Sequence, residues 1–184
     1  LWLQKSQKKI DKLIRDIAFW EKKVLLDEQA KKTLLRKIPH GLFICGVKDG
    51  EELNGFTVSW VMQASFEPPL VTNCVRRDSG SHEMIKKSGI FALSFLEDGQ
   101  KDLAAKFFKP KSRVGDKFED VEFYEGAATG CPIIKDSLGY VECRVLGTVE
   151  QGDHTVYVGE VIAAGIHREG NPLLLESTGW QYGG

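Results

Sequence analysis

The sequence predicts a mainly β fold, an antiparallel barrel with peripheral helices, and three observations carry that reading. After residue 40 of the 184, the chain divides into seven or so β-patterned runs separated by turn residues, with few helical stretches between them. Ahead of residue 40, apolar side chains recur at helical spacing instead. A doubly wound dinucleotide-binding fold is disfavoured, because neither its strand–helix alternation nor a GxGxxG turn is present.

The helical segment comes first. Leu3, Ile10, Leu13, Ile14, Ile17, Trp20 and Val24 fall on one side of a helix from Trp2 to about Lys23, with lysines between them. Asp27 reads as the cap of a second helix, about Glu28 to Lys37, which Pro39 ends. Residues 1–33 therefore form an extension, packed on the barrel or across a dimer. A basic surface for a membrane or partner, or a linker from an upstream domain, stays open. Since the chain opens on Leu1 rather than Met, an upstream segment is also left open.

The β pattern then follows in order. Gly41 to Val47 is a strand, Lys48-Asp49-Gly50 a turn, and Asn54-Gly55 a second turn signal before the run to Pro69. Leu70 to Val75 is the next strand and Arg76 to Ser81 a polar turn, with Ser81 as N-cap of a helix over His82 to Lys87. A serine-rich turn at a helix start offers N–H groups and hydroxyls to an anion, with arginines adding charge. The plainer reading is a cap beside solvated arginines. Ile90 to Leu96 is a strand, and Gln100 to Phe108 a helix with Leu103, Ala104 and Phe107 on one side. Lys109 to Lys117 is a polar loop and a candidate lid. A short strand follows Cys131-Pro132, and two long ones, Leu138 to Glu150 and His154 to His167, are joined by Gln151-Gly152-Asp153. The tail from Trp180 packs on the surface, or over a partner or ligand.

Composition excludes several function classes. Net charge is −1, yet residues 1–37 carry +6 and the rest −7, so the β body is too acidic for a broad nucleic-acid surface. Cys45, Cys74, Cys131 and Cys143 are too scattered for a CxxC pair or a zinc site, and free thiols in a reducing compartment are expected. No apolar run is long enough to span a membrane and no signal peptide is seen, so the expected location is cytoplasmic.

The richest stretch is Asn54 to Pro69. Its β-formers Phe56, Val58, Trp60 and Val61 alternate with the hydroxyls of Thr57, Ser59 and Ser65, so one strand offers both a packing surface and hydrogen-bonding groups to a flat, heteroatom-rich ligand. Gly55, Thr57, Ser59, Ser65, Pro68 and Pro69 follow a pattern that resembles the flavin reductase family, and Gly152-Asp153-His154 matches a second signature of it. The resemblance runs from about Leu34 to Tyr182, and residues 34–184 are taken as one domain.

The resemblance implies a Greek-key split barrel that binds FMN and passes hydride to flavin from NADH or NADPH. It places Thr57, Val58, Ser59 and Trp60 along the flavin ring and ribityl chain, with Ala64 and Ser65 nearby. It gives the phosphate to Ser79, Ser81 and His82, the flavin edge to Lys106 and Phe107, and the nicotinamide to His154 as the catalytic residue. A homodimer is implied as well. Trp60 departs from the pattern, since many relatives carry a smaller residue there. The alternatives are an FMN electron-transfer module serving a redox partner protein, and a split barrel that has lost flavin and acts in protein interaction.

Overall fold

A computed structural model of the chain describes residues 7–14, 26–108 and 118–184. The ends of the first expected helix and the expected lid at 109–117 lie outside the described residues. The chain divides into two compact units, Leu1–Ile38 with Tyr182–Gly184, and Pro39–Gln181.

In the first unit, residues 7–14 are helical and expose Ile10, Leu13 and Ile14. Helix α1 (Glu28–Leu35) begins where expected, because the Asp27 carboxylate accepts from Ala30 N at 2.9 Å. It stops short of Lys37, and Arg36 Nε donates to the carbonyl of Gly183 at 3.0 Å.

Among the described residues, the second unit is built on nine strands: β1 (Phe43–Asp49), β2 (Glu52–Val58), β3 (Val61–Ser65), β4 (Leu70–Arg76), β5 (Ile90–Phe95), β6 (Phe123–Glu125), β7 (Pro132–Ile134), β8 (Gly139–Val149) and β9 (His154–Ile166). Helix α2 (Gly80–Ser88) lies between β4 and β5, and α3 (Lys101–Lys106) follows β5. Seven strands form one antiparallel sheet in the order β2-β1-β5-β8-β9-β4-β3, and β6 pairs with β7 apart from it. The β6–β7 pair includes a strand, β6, that the sequence reading did not anticipate.

That order forces the sheet to curl. Laid flat, its two edge strands would stand about 29 Å apart, given ~4.8 Å between neighbours. Yet β2 and β3 are joined by Ser59 and Trp60 alone, a link that spans at most about 11 Å. The edges must therefore meet at this end, where a bond from Cys74 N of β4 to Trp60 O at 3.0 Å extends the β3–β4 ladder into the link. Beyond it the two strands diverge and do not pair, so the barrel is split.

The run from Asn54 to Pro69 is accordingly two strands rather than one, broken at Ser59-Trp60. Asn54-Gly55 sits inside β2 and makes no turn. The hairpin turn is at Gly50, whose φ of 60° suits glycine. A side chain at Gly55 would instead run into Phe107 Cε1 at 3.0 Å.

Alternation along the strands separates the two larger cores of the described residues from each other, with a smaller cluster at Ala92, Cys131 and Ile133. Cys45, Val47, Phe91, Leu93, Cys143 and Tyr157 turn into the barrel with Met84 and Ile85 of α2. Leu42, Ile44 and Leu96 turn the other way, onto Ala104, Phe107, Phe118, Ile134 and Leu173.

Candidate functional site

Barrel closure brings three stretches far apart in sequence to one place. Asn54 Nδ2 of β2 donates to Ser81 Oγ of α2 at 3.2 Å. Arg76, the last residue of β4, pairs in register with His154, the first of β9, and Arg77 N donates to Asp153 O at 3.0 Å. The indole of Trp60 then stacks on the His154 imidazole, with centroids 4.7 Å apart, and His40 approaches the same indole at 6.5 Å. The hydroxyl-bearing strand, the serine turn and the Gly-Asp-His hairpin thus form one surface.

Each predicted residue can be placed on it. Thr57 donates its hydroxyl to Ala104 O at 2.6 Å and its N–H to Phe107 O at 3.5 Å, so it binds the strand to the end of α3. Val58 and Ser59 are buried at the close of β2. Ala64 is the unpaired residue of a bulge between Gln63 and Ser65, and it is exposed on the sheet edge, with Ser65 half-buried beside it. Lys106 is exposed. Phe107 takes the core position that its helical spacing gave it rather than the flavin edge that the resemblance implied: it is 1% exposed and packs edge-on against Phe118.

The serine turn differs from expectation in its cap. Ser79, not Ser81, caps α2: its Oγ accepts from His82 N at 3.2 Å and donates to Arg76 O at 2.8 Å. One residue pair further on, Ser81 and His82 are turned inward and buried. The His82 ring meets Thr155 Oγ1 at 2.8 Å and Glu83 Oε1 at 3.2 Å, while Tyr157 OH donates to the His82 carbonyl at 3.2 Å. Both side chains are thus bonded to other parts of the chain, Ser81 to Asn54 and His82 to Thr155. What faces outward is Gly80, exposed and with open space where a side chain would stand, at the start of a nine-residue helix whose first N–H groups have no partner within the helix.

Charge around this turn is paired. A hydrogen bond from Arg76 holds the Asp78 carboxyl below its usual range. Asp153 is lowered in the same way by its hydrogen bond to His154 Nδ1, 2.9 Å long. Burial pushes the His40 imidazole down. Sequence reasoning gave His40 no place in the site and read Asn54 only as a turn residue at the start of the richest stretch; the fold brings them against Trp60 and Ser81.

Residues 35–183 match the family described as flavin reductase like domain, which covers most of the chain. The chain belongs to that family. Among its relatives, the flavin reductase (NADH) of Kitasatospora aureofaciens is 33% identical over 154 residues, covering 82% of this chain and 78% of that one. The NADH:FAD oxidoreductase of Streptomyces globisporus C-1027 superposes with a TM-score of 0.71 at 32% identity, over 81% of this chain and 89% of that one. Diflavin flavoprotein A 1 of a Synechocystis species is 34% identical over 137 residues, covering 74% of this chain but 24% of that protein. For this flavin reductase-like chain the motif residues Gly55, Thr57 and Ser59 have a physical reading: glycine admits Phe107, threonine fixes α3, and serine begins the link that closes the barrel.

Proposed function

We propose that this chain is a flavin reductase that takes hydride from NADH or NADPH onto flavin, and that its flavin is FMN. The observation that carries the reading is the convergence of β2, the turn before α2 and the Gly152-Asp153-His154 hairpin on one surface. The residues present fit the cofactor. An open, glycine-lined helix start suits a terminal phosphate, and the adjoining β2–β3 link supplies an apolar wall with hydroxyls.

When bound, the flavin supplies the two-electron chemistry. Thr57, Val58 and Ser59 hold the ring and ribityl chain, with Ala64 and Ser65 at the margin and Lys106 at the outer edge. Ser79 orders the turn so that the Gly80 and Ser81 N–H groups, helped by Arg76 and Arg77, meet the phosphate. Trp60 stands against His154 at the end of the β2–β3 link, and His154 places the nicotinamide. Hydride transfer needs alignment more than a proton donor, so the lack of a nucleophile–base pair fits.

A homodimer follows from the same reading, the second copy covering Met62 and Phe66 at β3 and Ile162 on β9, all exposed. Residues 1–33 are a separate extension of the 34–184 domain. The location is cytoplasmic; among the described residues no helix is long and apolar enough to cross a membrane.

Steady-state oxidation of NADH and of NADPH, with FMN and with FAD, tests the proposal. Turnover fastest with FMN is expected, and no turnover with any pair overturns it. The match to a diflavin flavoprotein favours one other reading, an FMN electron carrier. Bound flavin reduced by a protein donor but by neither nucleotide would decide for that reading.

A further inference from the structure

Trp60 stands where closure of the barrel fixes the backbone on both sides of it. Its carbonyl accepts from Cys74 N at 3.0 Å, and Val61 N donates to Ser59 O at 3.0 Å. From this support the indole reaches the first residue of β9, whose position is set by the Arg76–His154 register. The two rings meet at 4.7 Å with 41° between their planes, a direct contact that leaves no room for a third ring between them. Asp153 Oδ1 holds the imidazole Nδ1 at 2.9 Å. His154 is consequently 12% exposed at its side chain, although its neighbour Asp153 in the same turn is 94% exposed.

We infer that Trp60 is a positioning residue for the nicotinamide step, clamping His154 in one orientation and so setting the affinity for the reduced nucleotide rather than for the flavin. A histidine at a hairpin turn would otherwise sample several rotamers, and a ligand that needs one of them must supply the ordering free energy. An aromatic face holds an imidazole by stacking when it is neutral and by cation–π attraction when it is charged, so the clamp works in either state. Contact with the indole and the hydrogen bond to Asp153 hold the ring, so the nucleotide meets it in a fixed pose.

The inference rests on the proposed function, and the experiment separates the two. In the full chain loaded with FMN, kcat and KM for NADH and NADPH are measured for Trp60→Ala, Trp60→Phe, His154→Ala and the double variant, with the FMN Kd of each. Trp60→Ala is expected to raise KM about tenfold, with kcat and the FMN Kd changed less than about threefold. Trp60→Phe, which keeps an aromatic face, is expected to stay within about threefold of the parent in KM. Once His154 is alanine, removing Trp60 is expected to add less than about twofold, because the two act as one unit.

Should Trp60→Ala fail to fold, Trp60→Leu keeps an apolar side chain without the aromatic face and is expected to show the same rise in KM. An unchanged or lowered KM, a parallel loss of FMN affinity, or additive effects would each overturn the inference. If His154→Ala raises KM and Trp60→Ala does not, this inference alone fails. A parent chain that oxidises neither nucleotide removes the proposed function and this inference together.

Discussion

Gly46 on β1 shows how tightly single positions are set. A Cβ there would stand 2.0 Å from the backbone carbonyl oxygen of Pro132, which cannot move without moving β7. Gly46→Ala should therefore destabilise the fold by roughly 2–4 kcal/mol in urea unfolding; a change under about half of that would mean β7 is loosely held. His82 poses a different question at the same scale, since the sequence offered it as a phosphate ligand while the fold buries it against Thr155. If its work is internal, His82→Ala costs about 1–3 kcal/mol of stability and leaves the FMN Kd within about threefold. A large loss of affinity at full stability would restore it to the phosphate. Nothing in the sequence distinguishes these outcomes, because an Nε2 partner 73 residues away is invisible to local pattern.

At the scale of elements, the turn before α2 was legible as a helix start but not in its register. Asp78, Ser79 and Ser81 are all good capping residues, and the choice falls on Ser79 because its Oγ reaches both His82 N and Arg76 O. Ser79→Ala should cost about 1 kcal/mol by thermal unfolding. Ser81→Ala, which loses only the bond from Asn54, should cost less; the reverse order would contradict the assigned cap. The break at Ser59-Trp60 was hidden for a related reason. Phe56, Val58, Trp60 and Val61 have the β pattern of an unbroken strand, and only the need to join opposite edges of a seven-stranded sheet interrupts it. Long, alternating elements such as β8 and β9 were read nearly to their ends, since each carries its own periodicity. Three-residue β6 carries too little pattern to be read at all.

For the whole molecule, the buried thiols, Cys45 and Cys143 in the barrel and Cys131 outside it, make a prediction about pH. Burial pushes the thiol of Cys131 up to about 11 and that of Cys143 up to about 12, and raises Cys45 as well. In the unfolded chain these thiols ionise near their usual value, so the unfolded state loses protons first as pH rises. Their contribution to stability is complete below about pH 8.5 and declines as pH rises through the folded values. Urea midpoints should fall steadily from about pH 9 upward, and a parent-like midpoint at pH 11 would show that the interior is wet. The overall class, an antiparallel barrel with outlying helices, was open to reading because alternation and turn residues are local. The site was open only in its motifs, since Trp60, His40 and His154 meet through closure of the sheet.

The central claim is that this closure builds a flavin site, and equilibrium dialysis of the purified full chain against FMN tests it most directly. One FMN retained per chain, and retention lost when the turn before α2 is altered by Gly80→Asp, is the predicted result. A chain that retains no FMN would contradict the account.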